Sequence, residues 1–318
     1  MSYQAPFPQQ LAQVEYVQFY FHLENRDYFD LPELALLQLR REMLLALKNL
    51  QAHGENSDVS QLRQLLLPPL PDDPVLSRQL QKPAPAMVLS PDVSQFGLIE
   101  PKQRIILPVL FVGSATNRLR SFIRLLKQLG AQGLYKGTGH FIVEAIEAED
   151  ASGVRSMLWL QGESETELAP PISDLGWWLE LQSPVVENCR INVTAPLRLM
   201  HHGKPLFKAD FSELFPFVLR RVTAFLAHYA QVELEYDAKY FIALSRQITT
   251  LENRLQWKDW RTLNNEQGGQ NLGGLLGTLD LEANRLADIA WILQLGSLFN
   301  FGKGAAFGAG QYHLTVAE

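Results

Sequence analysis

From Val14 to Leu23 apolar and polar positions alternate: Val17, Phe19, Phe21 and Leu23 share one face, and Tyr16, Gln18, Tyr20 and His22 the other. A period of two is that of a strand, so the segment predicts a strand with one face in a core and one half-polar face left open. Asp30 as cap, Pro32 in the first turn and Glu33 three residues after the cap predict a helix running to about Leu50. Residues 53–100 are rich in Pro, Ser, Asp and Gln and read as a long loop holding a short helix and a strand near Met87 to Leu89. Arg104 to Val112 is a second clear strand, in which Pro108 predicts an edge position or a bulge. Over 116–129, Leu119, Phe122, Ile123 and Leu126 recur at helical spacing, with Arg120, Arg124 and Lys127 on the opposite side. Glycines punctuate the exit of that helix, and His140 to Ile146 is a further strand.

The order strand, helix, strand, strand, helix, strand is that of a ferredoxin-like unit, in which two helices cover one face of a sheet and leave the other open. The second half reads the same way. Val154 to Leu160 and Arg190 to Met200 are strand-like. Asp210 and Glu213 form a capping-box pair ahead of a helical face that includes Phe211, Phe215, Val218, Val222 and Phe225. Pro216 predicts a kink in that helix or its true start. Leu272 to Leu281 reads as a strand or hairpin, 283–295 as a short helix and Phe307 to Val316 as a last strand. The expected fold class is α+β: two tandem ferredoxin-like (RRM-like, βαββαβ) domains, 1–150 and 151–318, the second with a glycine-rich loop.

Composition narrows the function classes. The 318 residues are 47% hydrophobic, enough for one large core or two smaller ones. The one cysteine, Cys189, rules out an intrachain disulfide framework and points to a reducing, cytoplasmic setting. No apolar run approaches the roughly 18 residues of a membrane span, and the N-terminus has no basic segment followed by an apolar one. Asn192-Val193-Thr194 fits a glycosylation sequon, which in such a compartment is a chance match.

Net charge is −6, against the basic balance of most nucleic-acid binders, but the average hides an asymmetry. From Lys102 to Lys136 there are seven Lys or Arg and no acid; from Glu144 to Glu187 there are ten acids and Arg155 alone in reply. The expectation is one strongly basic surface on an acidic molecule.

Ten of the 21 glycines lie between Gly268 and Gly310, all but Gly296 in the clusters GGQNLGGLLG and GKGAAFGAG. Glycine lets backbone approach a ligand, and successive N–H groups can face a phosphate. GSLFNFGKG is not a Walker A loop: five residues separate Gly296 from Gly302, and Gly304 stands where Ser or Thr should hold magnesium. Tight hairpins are the plain alternative; Gly302, Lys303 and Gly304 make a phosphate contact the sharper one.

Three segments carry a resemblance. LFVGSATNRLRSFIRLLKQLGAQGLYKGTGHFIVEAI, residues 110–146, is similar in its strand, Gly-x-Ala turn, helix and LG-x-x-G exit to the CRISPR-associated repeat-processing endoribonucleases of the RAMP superfamily. Residues 191–229 resemble that family's "PLRL … GK … DF … L-RR" block through Pro196 to Leu199, Gly203, Lys204, Asp210, Phe211, Arg220 and Arg221. Residues 272–314 resemble its C-terminal "GG-x-x-G" hairpin, helix and "GK-G-x-x-FG-x-G-x-Y" signature. The resemblance implies a protein that binds CRISPR repeat RNA and cuts precursor crRNA once per repeat. The nucleophile is the 2′-hydroxyl beside the scissile phosphate, the products are a 2′,3′-cyclic phosphate and a 5′-hydroxyl, and no metal or cofactor is needed. Partners would be the precursor and mature crRNA and subunits of a CRISPR effector complex. The alternative is a weak or inactive repeat-RNA-binding subunit of such a complex.

The family carries its catalytic histidine near the first helix, but the helix read over 32–50 has none. The candidates are His22, His53 just past the helix, and Lys48 as a cation for the phosphate, with Arg40 and Arg41 as weaker choices. RNA contacts are expected from Arg120, Arg124, Lys127, Lys136, His140, Arg220, Arg221, Gly302, Lys303 and Gly304. Against each charged residue stands an ordinary solvated side chain, and against the glycines a tight hairpin. Asn300 departs from the histidine of many relatives, which puts an acid–base role at that position in doubt, would leave a chemistry confined to the first domain unaffected, and together with the missing helix histidine motivates the inactive-binder alternative. His201 and His202 are adjacent on a strand reading and would point to opposite faces, so no metal site is expected there.

Overall fold

The structure is a computed structural model, described for residues 7–52, 54, 57–70, 83–166, 168–182, 187–229, 237–260 and 272–317. His53 lies outside the described residues. The chain forms two compact units. One takes Ala12–Trp178; the other takes Leu179–Ala227 and the chain from Glu233 onward.

The N-terminal unit runs β1 (Glu15–Asn25), β2 (Phe29–Leu31), α1 (Leu39–Ala52), α2 (Ser57–Leu66), β3 (Met87–Leu89), β4 (Gly97–Ile99), β5 (Arg104–Val112), α3 (Leu119–Gln132), β6 (Phe141–Glu149), β7 (Arg155–Leu160) and β8 (Ser173–Asp174). The main sheet has the order β3-β5-β1-β6-β7, all antiparallel, with β8 on the end of β1. Without β7 and β8 this is the second-third-first-fourth order of a βαββαβ unit. The predicted alternation in β1 holds from Val17 on: Val17, Phe19, Phe21 and Leu23 are buried, and Gln18, Tyr20 and His22 are half-exposed, whereas Tyr16, expected on the open face, is buried. Phe122 of α3 meets Phe21 at 5.4 Å and Phe111 at 5.3 Å between ring centroids, the second edge to face. Such aromatic pairs add about 0.5–1.5 kcal/mol beyond burial.

Pro108 is neither on an edge strand nor at a bulge, since β5 lies between β3 and β1 in regular register, but it falls where β3 gives out. Its carbonyl accepts from Ser90 N at 3.0 Å, so its nitrogen faces the side of β5 on which β3 has just ended. The predicted start of the first helix is overturned. Asp30 pairs with Leu98 in the small β2–β4 ribbon, and Leu34 takes a left-handed φ of 59° that breaks the helical run before α1. Residues 155–160, read from the sequence with the second half, pair with β6 and close the first sheet.

After α4 (Leu175–Leu181) the C-terminal unit runs β9 (Cys189–Leu197), β10 (Met200–His201), β11 (Lys204–Pro205), α5 (Phe211–Tyr229), α6 (Ala238–Ser245), β12 (Thr250–Asn253), β13 (Gln256–Trp260), β14 (Leu272–Leu281), α7 (Ala290–Phe299) and β15 (Tyr312–Val316). Its sheet order is β12-β14-β9-β15, with β13 also on β14. The second-third-first-fourth order recurs, β12 and β13 sharing the second place. The fold is thus α+β, with two ferredoxin-like units in tandem. Asp210 N donates to Glu213 Oε2 at 2.9 Å, the expected capping contact, and α5 passes through Pro216 without ending. Ile191, Val193 and Leu279 point to the helices; Arg190, Asn192, Thr194 and Thr278 line the open face.

Candidate nucleic-acid interface

His22 stands on the open face of the first sheet, its side chain 16% exposed, with Nε2 3.1 Å from Glu147 Oε2 on β6. Register shifts at this point: His22 faces Ala145 and Leu23 faces Val143, which leaves Glu144 as the extra residue of a β-bulge. Two residues along β1, Tyr20 donates to Glu149 Oε2 at 2.8 Å. Arg155 Nε donates to the same oxygen at 2.9 Å, and its guanidinium lies 3.5 Å from the Tyr20 ring centroid. Burial, then the hydrogen bond to Glu149, push the Tyr20 phenol up to about 12. Arg104 Nη2 donates to Glu144 at 2.5 Å. A carboxylate beside an imidazole fixes its orientation and supports proton transfer. The same ring of acids raises the cost of bringing a phosphate near.

Lys48 is exposed on α1, in the helical layer that covers the other side of this sheet. The structure therefore does not bring His22 and Lys48 together. Arg40 and Arg41 lie on the same helix, and Arg41 Nε is 3.3 Å from the buried Glu42 carboxylate.

The basic stripe of α3 is present but answered. Arg120 donates to the Thr166 carbonyl, Lys127 pairs with Glu165, and Arg124 Nη1 lies 3.5 Å from Asp58 Oδ2. Lys127 also lies 5.3 Å from the centre of the Trp159 ring. Arg104 on Glu144 and Lys127 on Glu165 join the basic and acidic stretches of the sequence in space, and Arg155 answers Glu149 within the acidic one. The expected strongly basic surface is thereby reduced to a mixed one. Opposite charges distant in sequence attract once the chain folds, and a count along the chain does not see this. Lys136 sits in a turn at φ 49°, its ammonium 5.2 Å from the Tyr135 ring centroid. His140 Nδ1 is 2.6 Å from Asp27 Oδ2, and its backbone N–H donates to Asp27 Oδ1 at 3.1 Å.

In the C-terminal unit the glycine-rich loop is knitted to the end of β9. Gly310 N donates to Pro196 O at 3.1 Å and Lys303 N to Arg198 O at 2.9 Å. Gly310 has φ 67°, and a Cβ there would lie 1.9 Å from the Phe301 carbonyl oxygen, so no other residue fits. Arg221 donates to the carbonyls of Phe299 (3.2 and 3.0 Å) and Asn300 (3.3 Å) at the C-terminal end of α7. It acts there as a helix-end cation that sets where the loop begins. Asn300 is buried, with φ 50°, and its amide donates to Ala305 O at 3.3 Å. Lys303 and Gly304 form the exposed tip, with Gly302 half-exposed beside them. The Lys303 side chain is therefore presented to solvent while its backbone N–H is already used. Arg220 is exposed, 5.1 Å from the Phe217 ring centroid.

His201 and His202 correct the strand reading. The pair sits on the hairpin β10–β11, whose turn residues His202 and Gly203 have φ 45° and 78°, and the two rings lie 4.2 Å apart. Glu147, and an exposed Phe207 against Trp257, went unnoticed in the sequence. The available signal was an aromatic followed directly by lysine at both Phe207-Lys208 and Trp257-Lys258. Among the described residues no group of three or more His, Cys, Asp or Glu is placed to hold a metal ion, and no helix is long and apolar enough to cross a membrane.

This loop and its anchoring strand fall inside a family match. Residues 191–312 match the CRISPR-associated endoribonuclease Cas6 family. Residues 14–171 match a second family model, described as an N-terminal domain. Among solved structures, a chain of a partial Cas6-RT-Cas1–Cas2 complex is similar at 13% identity and TM-score 0.53, over 96% of this chain and 46% of its own. This chain thus spans about half the length of that relative. Thermus thermophilus Cas6 is similar at 12% identity and TM-score 0.51, and a Cas6 product complex at 12% and 0.50, each over 95% of this chain and 99% of the other. At these identities the likeness to the solved Cas6 chains is one of fold. No curated protein matches the sequence.

Proposed function

We propose that this chain binds CRISPR repeat RNA and cleaves precursor crRNA within each repeat, in the cytoplasm and without a metal. The observation that carries the reading is the Cas6 match over 191–312, which contains the anchored glycine loop. His22, whose Nε2 lies 3.1 Å from the Glu147 carboxylate, is the base we assign. It takes the proton of the 2′-hydroxyl as the 2′ oxygen bonds to phosphorus. The bond from phosphorus to the 5′ oxygen breaks, and that oxygen is protonated. A 2′,3′-cyclic phosphate and a 5′-hydroxyl result. A positioned acid–base group is worth about 10²–10⁴-fold in rate. Lys48 lies on the other side of the sheet, so it is a rival to His22 rather than an addition to it. Contacts to RNA fall to Lys303, Arg220, Lys136 and the α3 cations, the last after exchanging their protein partners.

The acids around His22 favour a second reading, a repeat-RNA-binding subunit of an effector complex that does not cut. The two separate in one experiment: repeat RNA from the neighbouring array is incubated with the protein in EDTA, beside the same RNA carrying a 2′-deoxy group upstream of the cut. A single cut that the deoxy group abolishes supports the nuclease. Selective binding with no cut supports the second reading, and no selective binding overturns both.

A further inference from the structure

Phe207 leaves 58% of its surface in water, and its ring meets that of Trp257 edge to face with centroids 4.7 Å apart. Trp257 is held firmly. It stands opposite Leu275 across the β13–β14 ladder and lies over Gly273, where a Cβ would come within 2.7 Å of its Cζ2. The absence of a side chain at 273 is what lets the indole lie down. Phe207 is placed as firmly from the other side. Leu206 N donates to Leu199 O at 3.0 Å and closes the β10–β11 hairpin one residue before it. A large aromatic is thus fixed with an open face rather than buried.

The charge around it has one sign along the chain. From Arg198 to Lys208 there are Arg198, Lys204 and Lys208, with His201 and His202, and no acid. Lys208 follows Phe207, whereas Lys258, next to Trp257 on β13, belongs to the other face of the sheet. Two acids border it: Asp210 belongs to the start of α5, and Asp259 shares the Trp257 face of β13, its carboxylate near Gly273 under the indole. An open aromatic face among cations fits a polyanion that carries π-faces, which is single-stranded nucleic acid; a protein partner would more commonly meet acids or an apolar ring.

We infer that Phe207, backed by Trp257, stacks on an unpaired base of the bound RNA while Lys204 and Lys208 neutralise the phosphates beside it. The inference rests on the repeat-RNA reading and adds to it a binding position in the C-terminal unit. Since every base has a π-face, the site selects an unpaired nucleotide at one position and tolerates changes in its identity.

The test measures affinity for synthetic repeat RNA of the neighbouring array with the full chain and the variants Phe207→Ala, Phe207→Leu and Phe207→Trp. It also uses that RNA with one abasic site moved through each unpaired position. Phe207→Ala is expected to weaken binding about 5- to 150-fold, the range of one lost base stack. Phe207→Leu should be as weak, and Phe207→Trp should restore binding. One abasic position should weaken binding to the unsubstituted protein and have no further effect on Phe207→Ala. An exposed side chain leaves folding intact, which the near-UV circular dichroism of each variant checks. If Phe207→Ala or Phe207→Leu binds as well as the unsubstituted protein, the stacking role is overturned and the repeat-RNA reading stands. If the unsubstituted protein shows no preference for repeat RNA over a shuffled RNA, the repeat-RNA reading falls and this inference with it.

Discussion

Nε2 of His22 lies 3.1 Å from Oε2 of Glu147, across a β-bulge that breaks the ladder between β1 and β6 beside them. If this pair does the proton transfer, His22→Ala should slow single-turnover cleavage of repeat RNA by about 10²–10⁴-fold while leaving its dissociation constant within a few-fold. Glu147→Gln should cost less, since it loosens the imidazole without removing it. Retention of full rate by His22→Ala would transfer the chemistry to Lys48 or His53.

Arg221 ties α5 to the end of α7. Its hydrogen bonds to the Phe299 and Asn300 carbonyls are charge-assisted and half-buried, and each such bond is worth about 1.5–3 kcal/mol. Arg221→Ala should therefore lower stability by a few kcal/mol in a urea titration. Arg221→Lys, a point charge without the fork, should recover part of it.

The glycine loop should respond to alanine by position. At Gly310 a Cβ would lie 1.9 Å from the Phe301 carbonyl oxygen, at a φ of 67°. Gly310→Ala should cost more than about 2 kcal/mol, the sum of a left-handed alanine and a backbone clash. At Gly304 the nearest atom to a Cβ is Ala309 Cβ at 3.3 Å, so Gly304→Ala should cost about 1–2 kcal/mol, the φ term alone. Thermal midpoints of the two variants decide the order.

The bidentate pair of Arg190 with Asp280, both bonds 2.7 Å, holds the Asp280 carboxyl below its usual range. A lowered folded-state value means stability that is complete above the unfolded value of about 3.9 and is lost as pH falls through the folded one. Arg190→Ala should cost about 1–2 kcal/mol at neutral pH, the low end for hydrogen bonds to a charged group at a partly exposed site, and flatten the acid limb of the stability–pH curve below pH 4. Equilibrium denaturation between pH 2 and 7 measures both.

Salt dependence should separate the free cation from the paired ones. Lys303→Ala should reduce the slope of log affinity against log salt by about 0.7–0.9. Arg124→Ala and Lys127→Ala should reduce it less, because Asp58 and Glu165 already neutralise those charges.

Much of the framework was legible because strands and helices report their buried faces by period. The alternation in β1, the stripe on α3, the span of β14 and the capping pair Asp210 and Glu213 needed only neighbours a few residues away. Local signals failed where long-range pairing competed. The cap pattern at Asp30 was outweighed by pairing with Leu98, and the strand 155–160 was claimed by β6. Neither partner is visible within a window around the residue itself.

The site divided along the same line. Sequence alone determined that the chain is α+β, that two ferredoxin-like orders follow one another, and that glycines gather near Lys303, because each is a statement about composition or period. Tertiary structure alone decided which charges remain available. It set Lys127 on Glu165 and Arg104 on Glu144, turned Arg221 from the solvent onto the end of α7, placed Glu147 beside His22, and left Phe207 open against Trp257. Electrostatic and packing energies depend on distance in space, and folding brings residues 38 or 125 positions apart to within one side chain of each other.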